Sequence, residues 1–168
     1  MSDDPISDVI TGIIPSAPRR MFGTGVLYAL GLLLLYVAAT NPPSILYAVL
    51  LIGFGAASLY GGYRMWDVTG RRIELTEEEL RLSDGTIICH VKDIHKIDRS
   101  FFAFKPSNGF LVSTKVSYPF HWAPGLWWRF GKRVGIGGVT PGSQSKIMAD
   151  TIAALVARRD GLFKELDL

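Results

Sequence analysis

From Met21 to Tyr63 the chain has no aspartate, glutamate, lysine, arginine or histidine. A stretch of that length without charge is foreign to the surface of a water-soluble domain. Cysteine is nearly absent as well. Cys89 stands alone among 168 residues, so no internal disulfide can form, no pair of thiolates can start a zinc site, and a reducing compartment is compatible. Histidine occurs only at positions 90, 95 and 121, and no set of serine, histidine and acid can be placed together. The chain is also too short for more than one compact domain beside the uncharged stretch.

Within that stretch, Asn41-Pro42-Pro43 separates two apolar blocks, Met21 to Thr40 and Ser44 to Tyr63. Each is about 20 residues, the length that crosses a bilayer. Lipid offers no partner to a bare peptide group, so both blocks are expected as helices joined at the prolines. Arg19 and Arg20 precede the first block and Arg64, Arg71 and Arg72 follow the second, while Thr40 to Ser44 carries no cation. By the positive-inside rule both ends and the downstream domain face the cytoplasm, which places the protein in the inner membrane. Tyr60, Tyr63 and Trp66 then fall near the interface. Arg19-Arg20 before an apolar run also has the form of a twin-arginine export signal, but the block is long for a signal and a second one follows. Small residues recur four apart: Gly25 and Ala29 in the first block, and Gly53, Ala57 and Gly61 in the second. Such faces either pack a hairpin on itself or receive a partner's helix, and the second of them is the expected partner-helix surface.

Before the blocks, Asp4-Pro5 suits a helix start, and Ile6, Val9, Ile10, Ile13 and Ile14 fall at helical spacing. The pattern predicts a short amphipathic helix ending near Pro15. Its polar side has no lysine or arginine, so its apolar stripe is expected to pack on protein and not on anionic lipid.

After Arg72 the period changes to alternation: Ile73 and Leu75, Leu80 and Leu82, then Ile87, Cys89 and Val91. Asp84-Gly85 and Asn108-Gly109 are tight-turn signals between such runs, the second between Phe101 to Phe104 and Phe110 to Val112. A further strand pair is expected from Leu126 to Phe130 and from Arg133 to Ile136. Ile147, Met148, Ile152, Leu155 and Val156 mark a closing amphipathic helix before Arg158, Arg159 and Gly161. The expected fold is a helical membrane hairpin followed by a mainly-β, α+β domain of about seven antiparallel strands and one C-terminal helix. Its segments are 1–20, 21–66 and 67–168.

The run Ile73-Glu74-Leu75-Thr76-Glu77-Glu78-Glu79-Leu80-Arg81-Leu82, then Asp84-Gly85, Ile87-Ile88 and Val91-Lys92-Asp93-Ile94-His95-Lys96-Ile97, resembles the opening of bacterial pleckstrin-homology-like domains that follow paired membrane helices. Ile94 and Ile97 match the family's xxIxxI segment. The resemblance covers about residues 72–157, implies that fold, and carries no catalytic signature; another small, partly open barrel is the competing fold.

Cys89 and His90 are adjacent on an expected strand and so point to opposite faces, which argues against a shared metal ion. Gly135 to Gly142 has glycines ahead of a helix, but Ser143 stands where a phosphate-binding lysine would, and the hairpin signals contradict a parallel unit. Glu77, Glu78 and Glu79 suit a solvated turn. These readings exclude an enzyme, a cofactor, a metal and a small-molecule substrate from the expectation.

Six aromatics crowd the run Tyr118 to Phe130. Across residues 86–133 eight cations face only Asp93 and Asp98, a surplus of six. Rings mixed with cations suit a protein interface or an anionic headgroup layer, and nucleic acid is the weaker match on a tethered domain. Trp122, Trp127, Trp128, Arg129, Lys132 and Arg133 are the expected contact residues. The reading that follows is a non-enzymatic, tethered interaction module, an accessory or assembly subunit of a larger membrane protein complex such as a respiratory or photosynthetic one. The competing reading is a domain that binds anionic lipid or senses the membrane.

Overall fold

The computed structural model describes residues 8–40, 44–98 and 106–161. Ile6 of the N-terminal stripe, the Asn41 to Pro43 turn and the strand expected at Phe101 to Phe104 lie outside these. The elements run β1 (Thr11–Ile13), α1 (Ala17–Thr40), α2 (Ile45–Val68), β2 (Ile73–Leu75), β3 (Glu79–Leu82), β4 (Ile87–His90), a 3-10 turn at Val91–Asp93, β5 (Ile94–Asp98), β6 (Phe110–Ala123), β7 (Trp127–Ile136) and α3 (Gly142–Arg159). Among the described residues this is a pair of long apolar helices, seven strands in two antiparallel sheets, and a C-terminal helix.

Helices α1 and α2 are long and apolar enough to cross a membrane, and few of their residues are buried inside the protein. Each exceeds its apolar block, because Pro18 is tolerated in a first helical turn and Trp66 to Val68 continue the second helix into the domain.

The N-terminal segment is where the sequence reading needs correction. Thr11–Ile13 form a strand and not part of a helix: Thr11 pairs with Leu75, Gly12 with Glu74 and Ile13 with Ile73. Gly12 weakens any helix, Thr11 and Ile13 are β-branched, and a ten-residue helix is marginal alone. Pairing with β2 buries Ile13 completely, whereas Ile10 and Ile14 stay exposed and Val9 half-buried. The helix pair is therefore inserted between two neighbouring strands of one sheet.

That sheet has the order β1-β2-β3-β4 and the second the order β5-β6-β7. Between them lie Ile73, Leu75, Leu80, Leu82, Ile88, Ile94, Phe110, Val112, Leu126, Trp127, Val134 and Ile136. The Asp84-Gly85 turn forms as expected, with Gly85 at φ 85° and the Asp84 carboxylate accepting from the Thr86 amide. A bulge shifts the β3–β4 register, so Ile88 and Cys89 both face the core and Ile87 is turned outward. The two strands expected at 126–130 and 133–136 are one ten-residue strand, since Gly131, at φ 57°, makes a bulge opposite Tyr118 and β6 continues beside it.

Helix α3 covers β1, β5 and the 3-10 turn. Met148, Ala149 and Ile152 are buried there, while Ile147, expected in the stripe, is exposed. Arg159 ties the helix end down by donating to the carbonyls of Val91 and Lys92.

Candidate functional site

The aromatic run becomes the β6–β7 hairpin, and strand alternation sorts its side chains onto two faces. On the inward face Trp127 is 1% exposed and stacks on the His121 ring, centroids 4.8 Å apart. Burial first, then the charges of Arg129 and Arg64, holds His121 below its ordinary pKa. Trp127 is therefore a core residue and not the contact residue expected. Its large ring is what closes this end of the space between the sheets.

Arg129 also turns inward. Its Nη1 donates to the carbonyls of Ile87 and Ile88 at 3.1 and 3.0 Å, and its Nε to the carbonyl of Pro119 at 3.0 Å. One guanidinium thus bridges β4 of the first sheet to the hairpin of the second. Tyr118 adds a second bridge: its hydroxyl donates to Asp93 at 2.7 Å and accepts from the His90 amide at 3.1 Å. Burial, with the Asp93 charge, pushes the Tyr118 hydroxyl up to about 12 despite the His90 bond, so it remains a donor at neutral pH. Replacing Arg129 by alanine leaves three carbonyls without their donor, and we expect a loss of about 2–3 kcal/mol in chemical denaturation, since bonds to charged groups are each worth about 1.5–3 and this one is part-exposed. Arg129→Lys should recover little of it, because an ammonium cannot span the three acceptors.

The outward face carries what remains of the expected contact set. Trp122 is 59% exposed, and Lys132 and Arg133 are exposed further along β7, past the Gly131 bulge. Trp128 pairs with Trp122 across the strands but is half-buried, its indole lying against Gly135, where a Cβ would collide with the ring. Phe120 and Phe130, absent from the expected set, are the most exposed rings here at 69% and 68%, and they meet edge to face at 6.3 Å. The alternation Phe120-x-Trp122 opposite Trp128-x-Phe130 was the available signal, hidden because the register was unknown.

The turn of this hairpin rests on the end of α2. A Cβ on Gly125 would lie 2.9 Å from the Met65 methyl and 3.4 Å from Thr69 Cγ2. The base of α1 is fastened to the same place. Arg20 lies 3.8 Å over the Trp66 ring and donates to the Trp66 carbonyl, and Arg19 donates to the carbonyl of Thr140.

Inside the helix pair, the close approach is made by other glycines than those singled out. Gly31 and Gly55 face each other, with Leu59 against the first and Leu35 against the second, and Gly62 meets Tyr28. Nothing lies within 4 Å of a Cβ built on Gly25, Gly53 or Gly61, and Ala57 is exposed. The Gly53-Ala57-Gly61 face is thus left free by the hairpin.

Elsewhere an open groove of about 720 Å³ runs between the 3-10 turn and α3, lined by Glu77, Glu78, His90, Lys92, Leu155 and Arg158 among others. Cys89 is enclosed, and burial, with Asp93 nearby, pushes its thiol up to about 12. The nucleophilic thiolate therefore does not form at neutral pH, and alkylation at pH 8 should proceed only after denaturant is added, as read by mass spectrometry. The amides of Gly137 and Gly138 donate to the carbonyls of Leu126 and Ser107 and are not available to a phosphate. Among the described residues no three histidine, cysteine, aspartate or glutamate side chains gather as a metal site.

No family model, curated protein or solved structure matches this chain. Function has to be argued from its own geometry.

Proposed function

We propose that this protein is a tethered interaction module of the inner membrane. Its helix pair crosses the bilayer, its pleckstrin-homology-like domain stands on the cytoplasmic side with both chain ends, and it serves as a non-enzymatic accessory or assembly subunit of a larger membrane protein complex. The observation that carries this reading is the pairing of β1 with β2 on either side of the helix pair. Two strands hydrogen-bonded in one sheet must lie on the same side of a membrane, so the helices between them go across and return. The cations at both ends and their lack at the turn supply the sidedness. Four strands facing three, closed by a C-terminal helix, support the family resemblance.

A flexible linker would let the domain roam. Here the strand pairing, Arg19 and Met65 fasten the domain to the helices, and Arg20 ties the base of one helix to the other, an arrangement suited to holding partners in register. The uncovered Gly53-Ala57-Gly61 face supplies a surface on which a partner's helix can pack closely. The test is affinity purification of the tagged full chain in mild detergent. A companion membrane protein is expected with the wild type and lost with Gly53→Leu, and a lone monomer in every detergent overturns the reading. External protease on intact cells checks the sidedness, because it should leave the domain uncut.

A further inference from the structure

We infer that the outward face of the β6–β7 hairpin, formed by Phe120, Trp122 and Phe130, is an aromatic foot seated in the headgroup layer of the membrane that the helices cross. The inference rests on the crossing proposed above and adds a contact that the crossing does not require.

Three large rings on one face of a small domain, each more than half exposed, with Phe120 and Phe130 in edge-to-face contact and Trp122 next along β6, form a patch that soluble surfaces rarely leave open. Their location selects the occupant. The hairpin turn touches Met65, and Met65 directly follows Arg64, the residue that ends the uncharged span. The turn therefore sits at the depth where the apolar segment gives way to the polar layer. Trp122 is three residues from Gly125 and cannot lie more than about 10 Å from it along an extended chain. Strand β6 itself touches α2, which sets this part of the hairpin beside the helix end.

The chemistry fits the same occupant. Tryptophan and phenylalanine bury their rings at the boundary between headgroups and acyl chains, where the polar edge of an indole stays wet. Lys132 and Arg133, exposed beyond Phe130 on the same strand, give this end of the hairpin the sign that an anionic surface attracts. Trp127 and Arg129 are committed to the core on the opposite face, so the foot has one accessible side. Its effect would be to fix the tilt of the domain against the bilayer, leaving the helix face of Gly53 and the groove at α3 open to partners.

The experiment uses the full-length protein reconstituted in phosphatidylcholine vesicles containing phosphatidylglycerol, with a nitroxide on Trp122→Cys, Phe130→Cys, Leu33→Cys or Ile147→Cys in turn; the enclosed Cys89 does not compete for label. Position 147 reports water and position 33 the lipid interior. At 122 and 130 the collision rate with a water-soluble relaxant should be about fivefold lower than at 147, with oxygen access intermediate between 147 and 33. If 122 and 130 match 147 while 33 reads lipid, the foot is refuted and the crossing stands. If 33 also reads water, the crossing fails and the inference with it. Shielding of 122 and 130 from both water and oxygen means a protein contact there and overturns the lipid assignment. Because labelling replaces a ring of the foot, a second readout keeps the ring: with lipids brominated near the glycerol, Trp122→Phe should remove a clear part of the quenched emission, Trp66 and the half-buried Trp128 supplying the rest. An unchanged quench in that variant overturns the inference.

Discussion

A fragment beginning at residue 67 will not fold to a stable domain, whereas residues 8–16 joined by a short linker to residues 67–168 will. The reason is the position of β1. It contributes Ile13, fully buried, covers Ile73 and Leu75 on the first sheet, and lies under α3. Its outer contacts hold neighbouring segments: the Ile14 amide donates to Gln144 on α3, and the Ser16 amide to the Val139 carbonyl. Removing a buried isoleucine costs about 2–5 kcal/mol before the lost strand pairing is counted. That is a large share of the roughly 5–15 kcal/mol by which a domain is stable. Circular dichroism melts of the two soluble fragments check this, with a sharp transition expected only for the joined one. Equal melting would show β1 to be dispensable. Binding experiments with the simple truncation would consequently report on a damaged domain.

Gly31→Leu should break the helix pair, while Gly53→Leu should leave it intact. A Cβ on Gly31 would stand 2.7 Å from Leu59 Cδ2 and 2.9 Å from the Gly55 carbonyl oxygen, and one on Gly55 would stand 2.9 Å from Leu35 Cγ. Neither backbone carbonyl nor opposing helix can move away without opening the contact. In lipid the association of helices depends on such close packing, since no water is released to drive it. Overpacking of this kind costs about 1–3 kcal/mol, and the opened pair also pulls β1 away from β2. Steric trapping or thermal aggregation of detergent-solubilised protein gives the measurement, with a destabilised Gly31→Leu and a Gly53→Leu indistinguishable from wild type. The pairing of results matters: loss of a companion protein in Gly53→Leu at unchanged stability assigns that face to a partner, and equal destabilisation in both variants would show that the hairpin uses both faces.

The membrane-length helices were legible because they need only local information. An absence of charge over two blocks of suitable length, broken by Pro42-Pro43, depends on nothing distant. The strand run from Ile73 to Leu82, the Asp84-Gly85 turn and α3 were legible for the same reason: period and turn chemistry are short-range. Reading failed where two segments far apart in the chain decide each other's conformation. Val9, Ile10, Ile13 and Ile14 satisfy a helical spacing, yet Ile13 is taken by Ile73, sixty residues on. Trp127 and Arg129 have the composition of a surface contact, and only the fold places them between the sheets.

Composition and periodicity alone settled that this chain carries two helices fit for a bilayer and a mainly-β segment, because hydropathy and alternation act on neighbours in the chain. Tertiary structure decided that the helices interrupt a sheet, which glycines touch, and which rings of the aromatic run stay outside. Those outcomes depend on strand register and on contacts between segments, where a shift of one residue reverses every side chain's face.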